Sequence, residues 1–171
     1  EYFHSLSTLA IPHLRRAFLG VRHVPIQLLK SAYMLFFQLR GLSDYLMEQR
    51  DWAFLEMLWK LWSPHWDYSP EHLARVKHTF QQPGVTKAAL GYYRALFNIF
   101  SQEGRETLGL LTAKIQVPTL AMTGVEDGCM DNRLFDIMMH AEDFPCGLQV
   151  THIKNAGHFL HQENPSPNLL Y

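Results

Sequence analysis

Cysteine is scarce in this sequence: 171 residues hold two, Cys129 and Cys146. Two thiols at that spacing build neither a disulfide scaffold nor a zinc ribbon, and they point to a reducing compartment, the cytoplasm. Long hydrophobic runs are missing as well. No stretch approaches the ~18 to 20 apolar residues of a membrane span, so a transmembrane helix is excluded. There is no excess of one charge: Lys plus Arg number 15 and Asp plus Glu 16, a formal net charge of -1. That balance speaks against nucleic acid as a partner and against a polybasic membrane anchor. Internal repeats and low-complexity tracts are absent too.

What is present is apolar and aromatic. Hydrophobic residues make up 47% and charged residues 18%, the composition of a chain that folds around a core of its own. All four tryptophans fall between Trp52 and Trp66, which suggests a helical layer enclosing something apolar. The chain opens at Glu1 without a methionine and stops within the apolar run Leu169-Leu170-Tyr171, so a piece of a longer protein is expected.

The hydrophobic period changes twice. Leu6 to Ile11, ended by Pro12, reads as a buried strand. Four helices are then expected. The first follows Pro25 with Ile26, Leu29, Tyr33 and Phe36/Phe37 at helical spacing and ends at Gly41. A second, capped by Ser43 or Asp44, carries the stripe Trp52, Leu55, Trp59 and Trp62 and breaks at Ser63-Pro64. Ser69-Pro70-Glu71 is a strong start for a third, which stops before Gln82-Pro83-Gly84. The last places Leu90, Tyr93, Phe97 and Phe100 on one face and fades at Gly104. Val117 to Met122 then reads as a strand buried on both faces, Leu134 to Met139 as a helix and Leu148 to Ile153 as a strand. Strands separated by helices imply an α/β fold with a parallel sheet. The predicted organisation is a core strand and connection over 1–20, a helical cap or lid over 21–110, and core strands over 111–171.

Ligands in parallel sheets bind beyond the carboxyl ends of the strands. Three segments lie there: Pro12-His13, Gly124 to Gly128 and Asn155 to Phe159. An acid and a histidine on neighbouring loops of this kind, Asp127 and His158, suit a general base with its orienting carboxylate. Equally, Asp127 can cap the following helix while His158 is a satisfied loop histidine.

These same residues carry a family resemblance. Val117-Pro118-Thr119-Leu120 with Gly124-x-x-Asp127, then Ala156-Gly157-His158-Phe159 with Glu163 and Pro165, resembles the last third of an α/β-hydrolase. Ala32-Tyr33-Met34-Leu35-Phe36-Phe37-Gln38 and Leu90-Gly91-Tyr92-Tyr93-Arg94 resemble the two cap segments of epoxide hydrolases. The resemblance implies that Asp127 orients His158 and that Tyr33 and Tyr93 hold the epoxide oxygen. Physical chemistry supports a tyrosine pair in that role. Ring opening releases an alkoxide, and a phenol with pKa about 10 remains a donor at neutral pH. Each tyrosine could instead be a core aromatic whose hydroxyl finds a backbone partner.

The family's nucleophile elbow, a Gly-x-Asp-x-Gly-type turn, and its oxyanion loop, a His-Gly-x-Pro segment, do not occur here. By resemblance both lie upstream of residue 1, and the chain alone is expected to be inactive. Asp44, Asp51 and Asp67 sit in or between cap helices and are poor substitutes. The implied partners are therefore a small apolar epoxide-type substrate, water and the missing N-terminal half. The resemblance implies no cofactor or metal: His158-x-x-His161 with Glu163 lacks a His-Glu-x-x-His pattern, and His161 and Glu163 are read as fixing the loop or packing the final helix. Cys129 is read as a small buried residue. Rival readings are a dehalogenase or a serine esterase on the same scaffold, and, in another class, an inactive truncated chain or binding module.

Overall fold

The protein is represented by a computed structural model that describes residues 3–165, so Leu169 to Tyr171 lie outside the described residues. Three parallel strands form one sheet in the order β1 (Leu6–Leu9), β2 (Thr119–Gly124), β3 (Leu148–Ile153). In the central strand β2, Thr119, Ala121, Met122 and Thr123 are buried, as its continuous apolar run requires. The strand starts later than its apolar run suggests. Pro118 has no N–H for the ladder, and its carbonyl accepts from the Leu6 N–H at 2.9 Å. β1 departs from expectation: Ser7 and Leu9 are exposed while Leu6 and Thr8 are half-buried. Among the described residues it pairs with one neighbour and is covered on one face, hence the alternation.

Each face of the sheet has its own cluster. Ala10, Met122, Ile153, Ala156 and Leu160 pack on one side. Ala121, Phe135, Met139 and Phe144 pack on the other. Between β1 and β2 the described chain forms eight α-helices, where the sequence predicts four. α1 (Ala17–His23) was not expected; it lies against the later helix α9 (Arg133–Met138), with Val24, Leu134 and Met138 buried between them.

The first predicted helix is two, α2 (Gln27–Lys30) and α3 (Ala32–Phe36), separated at Ser31. The second is also two, α4 (Leu42–Glu48) and α5 (Ala53–Trp62). Between them Arg50, Asp51 and Trp52 take φ of +51°, +53° and +53°, a left-handed run that reverses the chain without glycine. α6 (Pro70–Phe80) begins as its start signal requires, with the Ser69 Oγ accepting from the His72 N–H at 3.2 Å. α7 (Val85–Leu96) stops before Phe97, so Phe97 and Phe100 are exposed instead of extending its apolar face. α8 (Gln102–Leu111) follows, capped by Ser101 on the Gly104 N–H at 3.0 Å, at the point where Gly104 suggests an end. A short α10 (Leu160–Glu163) follows β3 and its loop. Among the described residues no helix is long and apolar enough to cross a membrane.

Candidate active site

Register brings two of the three candidate loops together. Gly124 at the end of β2 lies beside Ile153 at the end of β3, so the segments that follow emerge next to each other. Asp127 is 3% exposed. Its Oδ1 accepts from the backbone N–H groups of Cys129 at 2.7 Å and Met130 at 2.8 Å. Its Oδ2 faces the ring of His158, with 3.0 Å to Nδ1. A carboxylate can only accept, so in the neutral imidazole the tautomer with the hydrogen on Nδ1 fits this pair and leaves the lone pair on Nε2. Among the described residues that Nε2 makes no hydrogen bond, and the imidazole side chain stays 19% exposed. Asp127 does not cap the following helix, whose N-terminus has no side-chain cap; it ties its own loop with one oxygen and faces the histidine ring with the other.

The third candidate loop goes elsewhere. The His13 Nε2–H donates to the Ala113 carbonyl at 2.9 Å, and its ring meets Phe144 edge-on at 5.4 Å. It takes no part in the Asp127–His158 pair.

Tyr33 on α3 and Tyr93 on α7 converge as their helical stripes predict, with ring centroids 5.7 Å apart and planes at 83°. Trp62, at the end of α5, joins them to the histidine. Its ring lies 5.1 Å from that of Tyr33 and 5.3 Å from that of His158. The Tyr33 hydroxyl is 3.5 Å from the Cys129 sulfur. Burial raises the pKa of both phenols, and the neighbouring Cys129 adds to the rise. Burial also pushes the Cys129 thiol up to about 12. At neutral pH all three groups keep their protons, which suits them to donate to a developing negative charge rather than to attack as nucleophiles.

Arg94 fixes the tyrosine helices to each other. Its Nε–H donates to the Phe37 carbonyl at 2.8 Å, and its other nitrogens reach the Ser43 Oγ at 2.9 Å and Asp44 at 3.1 and 2.5 Å. The guanidinium holds the Asp44 carboxyl at about 2. Gln38 adds a second tie, its Nε2 donating to the Tyr93 carbonyl at 3.3 Å. An open groove of about 820 Å³ borders Asp44 and Arg94 on another side and does not reach His158.

Three contributors escaped sequence reasoning. Trp62 reads as cap core, yet it contacts both tyrosine and histidine. Lys30 donates to the Asp127 carbonyl at 2.7 Å and pairs with Asp131 at 3.4 Å. Ser63, read as a helix breaker, bonds the histidine loop. None has a local signature, because each acts through a contact distant in sequence.

No protein-family profile matches the chain. Human epoxide hydrolase 4 is 28% identical over 151 residues, covering 85% of this chain and 38% of the relative. The AB hydrolase superfamily protein YfhM of Bacillus subtilis (strain 168) is 26% identical over 166 residues, covering 97% of this chain and 54% of the relative. The chain therefore spans about half, or less, of the curated relatives it matches. Among solved structures, a mutant epoxide hydrolase from Bacillus megaterium, complexed with its naphthyloxy-propane-diol product, superimposes with a TM-score of 0.73 at 21% identity, covering 98% of this chain and 58% of that one. At that identity the likeness establishes the fold. In fold the chain corresponds to part of an α/β-hydrolase, and in sequence it is similar to epoxide hydrolases and to an AB hydrolase superfamily protein.

Proposed function

We propose that this chain is the cap and the C-terminal sheet portion of an enzyme that opens epoxides to diols through a covalent ester. In this reading residues 21–110 are the cap, and 1–20 with 111–171 belong to the core. An aspartate nucleophile and an oxyanion loop come from a preceding part of the complete protein. The observation that carries the reading is the Asp127–His158 pair at 3.0 Å, with an available Nε2, linked through Trp62 to two half-buried phenols.

The nucleophilic carboxylate attacks an epoxide carbon, and the carbon–oxygen bond breaks towards the ring oxygen. Tyr33 and Tyr93 donate to that oxygen as its charge develops, and one gives up its proton. A hydroxyalkyl ester remains. His158 Nε2 then takes a proton from water, which attacks the ester carbonyl, and Asp127 stabilises the imidazolium that forms. The tetrahedral intermediate collapses, and the departing alkoxide takes the proton from the His158 imidazolium. The proton of the acid so formed returns to the tyrosinate, so the diol leaves with carboxylate, imidazole and phenol restored. Partial desolvation suits the phenols to the first step, because a protonated donor shielded from water interacts more strongly with an alkoxide than a fully solvated one.

Turnover of the complete protein and of the isolated chain on a styrene-oxide-type substrate tests the reading. Diol formation by the complete protein and none by the chain alone is expected. A complete protein without epoxide turnover, or an isolated chain with it, would contradict the assignment.

A further inference from the structure

The end of α5 touches both loops of the candidate dyad. The Trp62 carbonyl, left without a helical partner at the last turn, accepts from the Gly128 N–H at 3.0 Å and the His158 N–H at 3.1 Å. Gly128 adjoins Asp127, so one carbonyl oxygen ties the acid loop and the base loop to the same helix. Both approaches are too close for a side chain. A Cβ on Gly128 would overlap the Leu61 carbonyl, and one on Gly157 would sit 2.8 Å from the Ser63 Cα.

Ser63 and Glu163 complete the junction. Ser63 is 1% exposed. Its hydroxyl donates to Glu163 Oε1 at 2.6 Å and accepts from the His158 N–H at 3.0 Å and the Phe159 N–H at 3.3 Å. Glu163 Oε1 accepts from the Phe159 N–H at 3.0 Å, and Oε2 accepts from the Gly157 N–H at 2.8 Å. Among the described residues no cation pairs with this carboxylate; its donors are two backbone N–H groups, on either side of His158, and one hydroxyl. Such an acceptor collects donors and fixes the backbone that carries them.

Resting on the epoxide-opening reading above, we propose that Ser63 and Glu163 are positioning residues that seat the His158 loop on the end of α5. The cap then sets the alignment of the base with Asp127 in addition to covering the substrate. Ester hydrolysis, which depends on the position of His158 Nε2, should feel their loss. Ester formation, which uses the nucleophile and the tyrosines, should not. Glu163→Gln retains size but presents an N–H where an N–H must be accepted. Ser63→Ala removes the shared hydroxyl.

In the complete protein the two steps are resolved by rapid mixing with substrate and intact mass. Each variant should hydrolyse the ester about tenfold or more slowly, form it within twofold of the wild-type rate, and accumulate adduct. Equal losses in both steps would mark a structural role and overturn the proposal, as would unchanged hydrolysis. If Glu163→Gln melts below the assay temperature, Ser63→Ala carries the same test with a smaller perturbation. Wild-type protein without turnover overturns the epoxide reading and this proposal with it. Wild-type turnover with both variants unaltered overturns this proposal alone.

Discussion

Asp127 and His158 are held at main-chain N–H groups: two donate to one Asp127 carboxylate oxygen, and the histidine's own N–H is shared by a helix-end carbonyl and the Ser63 hydroxyl. Tyr33 and Tyr93 are held by side chains: a chain of aromatic rings and the Arg94 fork onto Phe37, Ser43 and Asp44. The comparison shows how each kind of support responds to change. The bonds on the His158 N–H survive substitution of its side chain, and an Asn at 127 keeps an oxygen for the Cys129 and Met130 N–H groups, so His158→Gln or Asp127→Asn should change the chemistry and leave the loops in place. Aromatic contacts belong to the side chain itself, so in the cap chemistry and packing separate only when the ring is retained.

Among substitutions that retain His158, Asp127→Asn in the complete protein should have the largest effect. An Asn oxygen still accepts from Cys129 and Met130, but its amide facing Nδ1 favours the wrong imidazole tautomer. Ester hydrolysis is expected to fall by about 10³ to 10⁴, with little change in melting temperature. Steady-state turnover alongside a thermal melt checks both halves. A loss under tenfold would break the contrast on the main-chain side.

Next comes Tyr33→Phe/Tyr93→Phe. Phe preserves the ring contacts, so the cap should remain folded while ring opening drops by about 10² to 10³, the worth of a preorganised donor at a developing oxyanion. Parallel rates on an epoxide and a haloalkane sharpen the result. A halide needs no proton, and a dehalogenase would lose far less. Unchanged epoxide turnover would return both tyrosines to the core.

Much of this was legible beforehand, and the reason is local. β3 spans Leu148 to Ile153, the strand expected from the sequence, and Ser69-Pro70 starts α6 because a cap hydroxyl and a proline at the first helical position act within one turn. The loops after β2 and β3 could be placed because parallel strands deliver their ends to one edge. The breaks inside the cap were not legible. Ser31 and the Gln49–Trp52 reversal contain neither glycine nor proline, so tertiary packing imposes conformations that propensity disfavours. The bond from Ser63 to Glu163 joins residues 100 apart, a distance at which no periodicity reports.

Arg94→Met tests the side-chain supports directly. It leaves Asp44, Ser43 and the Phe37 carbonyl without their shared donor, and should cost the complete protein about 2 to 3 kcal/mol in urea denaturation. Ester formation should slow as Tyr93 loses its anchor, while hydrolysis of preformed ester should not. Equal slowing of both steps would merge the two regions into one.

The smallest expected effect concerns pH. Asp44 has a folded pKa of about 2, below its ordinary 3.8, through its hydrogen bonds with Arg94. A lowered carboxylate pKa contributes stability that is present above about pH 4 and is lost as pH falls towards 2. Because the pair is partly exposed, the contribution should be about 1 kcal/mol or less. Asp44→Asn should flatten that part of the acid-denaturation curve, and an unchanged acid limb would show that the pair adds no pH-dependent stability.

The central claim is that His158 is the base for hydrolysis of a covalent ester and takes no part in forming it. Its most direct test is the intact mass of the complete His158→Gln protein after incubation with an epoxide. The account predicts a stable adduct heavier by the mass of one substrate molecule, formed at close to the wild-type rate, with diol release nearly abolished. Rapid turnover with no adduct would contradict it.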